Sequence, residues 1–189
     1  VEHGGLFAPK TIALALLASL ALCGVASRSG QSPRSGLPRS VDSSLIPNYR
    51  RIGADLATGG QPTAAGLRRL RALGFRIVID LRTEAEGAVA EREAVTAAGL
   101  RYVSVPVTPE SFRRADVDAV AGVLYDPRRG AVLLHCASGN RVGGLWTALQ
   151  VTRGRTYAAA EAEGRSIGLQ SPAMIAAVRR VLLLPPSLE

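Results

Sequence analysis

The chain has 189 residues and a formal charge of +8; 47% of its residues are hydrophobic and only 4% aromatic. That length suits one ordinary domain with a modest extension. Lys10 is the sole lysine among 23 basic residues, and the arginines are dispersed, with no basic block and few rings to stack on bases. This argues against a nucleic-acid partner and leaves a small acidic substrate as the partner that suits the charge.

In chain order, Lys10 precedes an uncharged apolar run, Thr11–Ala26, followed by the small residue Ser27. The pattern is that of a secretory signal, and the run is short for a span, which needs about 20 apolar residues. Residues 1–27 are therefore expected to be a signal peptide, and the product to be exported, periplasmic or secreted. Membrane contact is expected only through this segment, if it stays uncleaved or is lipidated at Cys23; there Leu22 replaces the small residue that lipidation favours. Residues 28–47, rich in Ser, Pro, Gly and Arg, are expected to be a flexible linker, with an ordered domain over residues 48–189.

Within that domain, Arg51–Gly60 predicts one or two short edge strands. Pro62 and Thr63 open a helix that carries Leu67, Leu70 and Leu73 on one face and ends at Gly74. Phe75–Arg82 is a near-continuous apolar strand, as expected of one covered on both faces. A helix over Ala88–Ala98, a strand over Arg101–Val107 and a helix N-capped by Asp116 follow. Then come a strand over Ala131–His135, a helix over Arg141–Arg153, and two more helices over Tyr157–Ser166 and Pro172–Leu183. Ser171 and Pro172 suit the N-cap and first turn of the last one. Strands alternating with helices predict an α/β fold with a mostly parallel central sheet flanked by helices. Ligands in such folds bind beyond the carboxyl ends of the strands.

At one such end stands the segment His135–Gly144, HCASGNRVGG. A Cys after a strand, a small turning loop and an Arg where a helix begins make an oxyanion cradle. Loop amides and the helix N-terminus supply partial positive charge, and Arg141 adds a planar fork. The same field favours the thiolate of Cys136, the nucleophilic form. Ala137, Ser138, Gly139 and Asn140 are the candidate oxyanion-binding residues, with Gly139 supplying an unusual backbone angle or turning amides inward. His135 is expected to orient the loop and not to bind metal, His3 being the only other histidine. Without the signal, Cys136 is a lone thiol, which cannot form an intramolecular disulfide. Asp80 and Arg82 read either as a salt bridge at a strand end or as a rim on which Arg82 adds charge. Trp146 reads as core. No Walker loop, GxSxG elbow, HExxH or paired CxxC is present, which leaves no motif for nucleotide-triphosphate, serine-hydrolase or zinc chemistry; no cofactor is expected.

HCASGNRVGG, with GGQPT (Gly59–Thr63) and VIDLRTEAE (Val78–Glu86), resembles the beta-lactamase-hydrolase-like family of the dual-specificity-phosphatase fold, over about Asn48–Val181. The resemblance implies a cysteine-phosphatase-like domain in which Cys136 is the nucleophile and Arg141 the oxyanion ligand. The chain departs from the phosphatase pattern in three ways. Four residues separate Cys136 from Arg141, the spacing of rhodanese-like sulfurtransferases, where phosphatases have one more. Val142 follows the Arg in place of the usual Ser or Thr. The loop after Arg101–Val107, where the family carries an Asp as general acid, offers Glu110 as its nearest carboxylate. The leading expectation is an exported thiolate-dependent hydrolase of phosphate esters, small or protein-borne, with Glu110 as acid. The alternatives are a sulfurtransferase that carries sulfur from a donor to an acceptor as a Cys136 persulfide, and a non-catalytic phosphate- or sulfate-binding module.

Overall fold

In the computed structural model of the chain, residues 36–184 are described. The expected signal peptide, Cys23 and residues 28–35 of the expected linker lie outside them. The elements run β1 (Arg50–Arg51), β2 (Leu56–Gly59), α1 (Ala64–Arg69), β3 (Phe75–Asp80), a 3-10 turn (Glu84–Glu86), α2 (Ala88–Ala97), β4 (Arg101–Ser104), α3 (Arg114–Leu124), β5 (Ala131–His135), α4 (Asn140–Thr152), α5 (Tyr157–Ile167) and α6 (Pro172–Val181). The five-stranded sheet has the order β1-β2-β5-β3-β4. Only β1 is antiparallel to its neighbour. The expected α/β sheet flanked by helices is the observed fold.

The middle of the sheet is buried on both faces, which is why β3 and β5 are largely apolar along their length. Ile77, Ile79, Val132 and Leu134 face one core with residues of α3, α4 and α6. Phe75, Val78 and Leu133 face a second core with Leu70, Val95 and Leu100. Consecutive residues of β5 thus serve opposite cores, as the two-residue period of a strand requires. β5 is the central strand, paired with β2 through Thr58–Leu134 and with β3 through Val78–Leu133. Its carboxyl end, and Cys136 after it, therefore lies in the middle of the sheet's edge.

Three expectations are corrected. β2 is an interior strand, all four residues buried; the edge on this side of the sheet is β1. The ordered domain begins before Asn48: Leu37 is 3% exposed and Ile46 fully buried in the second core. A segment composed like a linker is held here by two apolar anchors. Asp116 is not the N-cap of α3. Arg113 is, and Asp116 stands one turn inside, where its carboxylate accepts the Arg113 amide at 3.0 Å. This is the reciprocal half of a capping box.

α4 is wedged between α5 and α6 by its paired glycines. A Cβ on Gly143 would strike the Gly164 carbonyl oxygen, and one on Gly144 would approach Met174 to 2.7 Å. A Cβ on Gly164 would collide with Thr147 Oγ1 and lie 2.6 Å from the Gly143 carbonyl oxygen. Helix propensity favours alanine over glycine by ~1 kcal/mol, but overlap with backbone cannot be relieved by a rotamer. Gly164→Ala is expected to lower stability by about 2 kcal/mol in urea unfolding. Gly122→Ala, in α3 with no atom within 4 Å of the new methyl, is expected to raise it by ~0.5–1 kcal/mol. A neutral Gly164→Ala would show that the helices separate freely.

Candidate active site

The loop between β5 and α4 is drawn outward at three successive carbonyls. His135 Nδ1 lies 3.3 Å from the Cys136 oxygen, the Gln61 amide donates to the Ala137 oxygen at 3.1 Å, and Asn48 Nδ2 donates to the Ser138 oxygen at 3.0 Å. In a trans peptide the N–H points opposite to the C=O. The amides of Ala137, Ser138 and Gly139, which share those three peptides, are thereby turned away from these partners. The Gly139 amide already donates to Cys136 Sγ at 3.1 Å. Gly139 has φ 100°, a left-handed conformation that suits glycine and turns the chain into α4. Ala137, Ser138, Gly139 and Asn140 thus form the turn that carries the chain from β5 into α4 around Cys136.

The loop is hemmed in by backbone on two sides. A Cβ on Gly60 would lie 2.9 Å from the Ala137 oxygen, and one on Gly139 would lie 2.8 Å from the Ile167 oxygen. Thus the motif GGQPT supports the Cys136 loop directly, through Gly60 and the Gln61 amide. On the other side Asn140 Oδ1 accepts the amides of Gln170 and Ser171 at 2.9 and 3.0 Å. That carbonyl ties the first residue of α4 to the start of α6. Asn48 itself has φ 52°, a conformation that asparagine tolerates better than most residues.

Arg141 is fixed by a partner that sequence reading missed. Its Nη1 and Nη2 donate to the two carboxylate oxygens of Glu86 at 2.7 and 2.6 Å, and Nη1 also donates to the Val107 oxygen at 3.1 Å. The Glu86 bond raises the affinity of Arg141 for its proton, and Cys136 is a further hydrogen-bonding and charge partner of the guanidinium. A guanidinium has five N–H donors in a plane. With one edge clamped by Glu86, the edge bearing Nε remains for an anion. Conversely, Arg141 above all holds the Glu86 carboxyl down at about 2, with the Thr83 amide helping. No spacing signals this pair, since the two residues are 55 apart in sequence.

Asp80 and Arg82 form the interior salt bridge, and the rim expected of Arg82 is corrected. Arg82 is 1% exposed. Its Nε and Nη2 bind the Asp80 carboxylate at 3.1 and 2.8 Å, and Nη2 also pairs with Glu91. Its Nη1 donates to the Glu86 carbonyl oxygen at 3.0 Å, so Arg82 acts on the site through Glu86. Burial opposes ionisation of Asp80, yet Arg82, the His135 charge and the Tyr102 hydroxyl hold its carboxyl below the usual range. His135 is fully buried, with Nε2 2.7 Å from Glu91 Oε1. The two atoms face each other without an aligned hydrogen bond. Asp80, Glu91 and His135 each bring a donor atom within 4.8 Å of the others, the only such metal-like cluster among the described residues. Its cation is Arg82, whose guanidinium occupies both carboxylates.

Glu110 does not join the cluster. It stands exposed in the turn after β4. Its hydrogen bond with Thr108, above all, holds the carboxyl below its usual range, with the Arg180 charge adding to this. Asp116 is committed to its helix cap. Val142 is fully buried, and Trp146 packs in the core while donating to Glu163 at 3.1 Å.

The Glu86–Arg141 pair has a defined pH signature. The folded carboxyl titrates at about 2 against 4.5 for a free glutamate. Its contribution to stability is therefore complete above the free value and is lost as pH falls through about 2. Glu86→Gln is expected to lower the urea midpoint at neutral pH, with the difference from the parent closing as pH approaches 2. A difference that persists unchanged in acid would show that the pair is not ionic.

Comparisons with known proteins agree with this geometry. The family described as DSP-PTPase phosphatase fused to NAD+ kinase matches residues 43–178. A beta-lactamase hydrolase-like protein of Xylella fastidiosa is 36% identical over 109 residues, 55% of this chain and 25% of that protein. Its counterpart in Agrobacterium fabrum is 32% identical over 110 residues, 56% of this chain and 25% of the relative. The chain thus spans about a quarter of the length of these curated relatives. Among solved structures, TpbA of P. aeruginosa superposes with a TM-score of 0.59 at 24% identity, over 79% of this chain and 91% of that one. A substituted form of TpbA has been solved with phosphotyrosine. The matched region holds the sheet, the Cys136 loop, Arg141 and its Glu86 clamp, and the chain belongs to the family of DSP-PTPase phosphatase domains found fused to NAD+ kinase.

Proposed function

We propose that this domain hydrolyses phosphate monoesters through a phosphocysteine at Cys136. The observation that carries the reading is the loop around Cys136, where three carbonyls are held by other groups, the Gly139 amide donates to Sγ and Arg141 stands in the first turn of the following helix, so that loop amides and guanidinium can serve an anion together. These donors match the equatorial oxygens of a phosphoryl group under in-line attack. The Cys136 thiolate forms a bond to phosphorus as the ester oxygen departs with the bonding pair. That oxygen takes its proton from water. Water then attacks the phosphocysteine, releasing phosphate and restoring the thiolate. Without a placed acid, aryl esters, whose leaving groups are stable as anions, are the favoured class. The apolar run Thr11–Ala26 supports action outside the cytoplasm.

A second reading is favoured by one observation, the exposure of Glu110 in the turn after β4. Sulfur transfer needs no acid. The Cys136 thiolate would attack the outer sulfur of thiosulfate, expel sulfite, and pass the bound sulfur to cyanide or a thiol. The four-residue loop suits this reaction equally.

Parallel assays on an aryl phosphate and on thiosulfate with cyanide separate the two. The expected result is turnover of the aryl phosphate, lost in Cys136→Ser while tungstate still binds. Sulfite release with no phosphate release would overturn the hydrolase reading in favour of sulfur transfer. Arg141→Lys keeps the charge but loses the planar fork. It is expected to lower kcat/KM on the aryl phosphate by ~10²-fold or more, with tungstate affinity falling in parallel. Unchanged tungstate affinity would remove Arg141 from the cradle.

A further inference from the structure

A polar groove runs along the outer wall of the nucleophile loop. Its two connected hollows, about 490 and 340 Å³, share Asn48, Ser138, Gly168 and Gln170 as lining. Ser138 belongs to the cradle itself, so an anion held by the loop amides lies immediately across this wall. The smaller hollow is lined by Arg50 and Arg165 and by no carboxylate. Arg165 is neutralised by Glu161 at 2.6 Å. Arg50 is exposed and has no acidic partner among the described residues. Its guanidinium is steadied by one bond, Nη1 to the Ser166 oxygen at 3.1 Å. The neighbouring Ile167 carbonyl is the group that approaches Gly139 of the loop. The charge of Arg50 is therefore held in the groove whose wall Ser138 shares with the loop, and it also lines a neighbouring hollow that contains Glu163.

The groove is built from elements that also shape the cradle. Asn48, two residues before Arg50, holds the Ser138 oxygen. Gln170 and Ser171 are held by Asn140. A ligand bridging the cradle and Arg50 would lie on a surface already ordered by the loop's own bonds, so that little ordering remains to oppose binding. The lining offers hydroxyl and amide groups and no large apolar face, which suits a small polar molecule and not an extended apolar one.

We propose that Arg50 forms a second anion subsite, and that the substrate is a small phosphate ester carrying a second acidic group, a carboxylate or another phosphate. The proposal rests on the phosphate-ester reading of the Cys136 loop and names the class of ester it serves. The phosphoryl group occupies the amides and Arg141, and the second anion reaches across Ser138 to Arg50.

Phosphonates, which cannot be hydrolysed, test the subsite apart from catalysis. Affinities of the full chain are measured by calorimetry for ω-carboxyalkylphosphonates of increasing length and for the matching alkylphosphonates. One spacer length is expected to bind about tenfold more tightly with the carboxylate than without it, the scale of a charge-assisted hydrogen bond. Arg50→Gln is expected to bring that ratio to about one, and Arg50→Glu to invert it. Melting temperatures of both variants establish that they are folded. Equal affinities at every spacer length, no binding of either series, or an advantage that survives Arg50→Gln would each overturn the subsite. Turnover of an aryl phosphate with equal phosphonate affinities would overturn the subsite alone. A carboxylate advantage without any phosphate release would overturn hydrolysis alone.

Discussion

A guanidinium stripped of water organises this domain. Arg82 is 1% exposed, and an unpaired charge at that depth would cost several kcal/mol. The fold answers with two carboxylates from different elements, Asp80 at the end of β3 and Glu91 in α2. His135 at the end of β5 packs against the same pair, and the Tyr102 hydroxyl from β4 donates to Asp80 at 2.8 Å. Three strands and a helix are thus brought to one point by the requirement that a single charge be satisfied. Removing one partner would leave the others charged and buried, so the cluster holds together or fails as a unit.

Two arginines divide the work around this point. Arg82 is spent wholly on internal partners, and one of them is the Glu86 carbonyl oxygen. Glu86 in turn clamps one edge of Arg141. The order of contacts runs from the core outward: a buried charge fixes a turn, the turn fixes a carboxylate, and the carboxylate fixes Arg141 beside the Cys136 loop. Preorganisation of this kind matters for an oxyanion site, because donors already in place need not reorganise as charge develops. The clamp also tempers the field. Glu86 cancels part of the charge of Arg141, so that much of the attraction for an anion must come from the loop amides.

What sequence could and could not show follows from the range of each interaction. β3 and β5 are legible because strands covered on both faces must be apolar along their length. The strand, Cys, loop and Arg at Ala131–Arg141 are legible because their chemistry is local. Ser171 and Pro172 mark the start of α6 for the same reason. Glu86 is not legible, because the residue that gives it meaning is 55 positions away. Arg82 was ambiguous for a related cause: an arginine after a strand suits a rim or an interior equally, and only Glu91, delivered by the packing of α2, decides. Leu37 and Ile46 were hidden by composition, since Ser, Pro and Gly around them read as linker while two side chains carry the packing. Asn48 fell at the border of that segment, and its role depends on a bond 90 residues away in sequence.

The position of β5 has a consequence for the order in which the molecule can be assembled. β5 is the last strand in the chain, yet it lies between β2 and β3, both made long before it. Until residues 131–135 are inserted, those two strands have no partner on their inner sides and expose edges able to pair with other chains. The contacts that close the gap are distant in sequence, which slows their formation. Only after they form does Gln61 reach the Ala137 carbonyl and Asn48 the Ser138 carbonyl. A partly folded chain therefore lacks the bonds that shape the Cys136 loop, and the candidate site is assembled only when the sheet is complete.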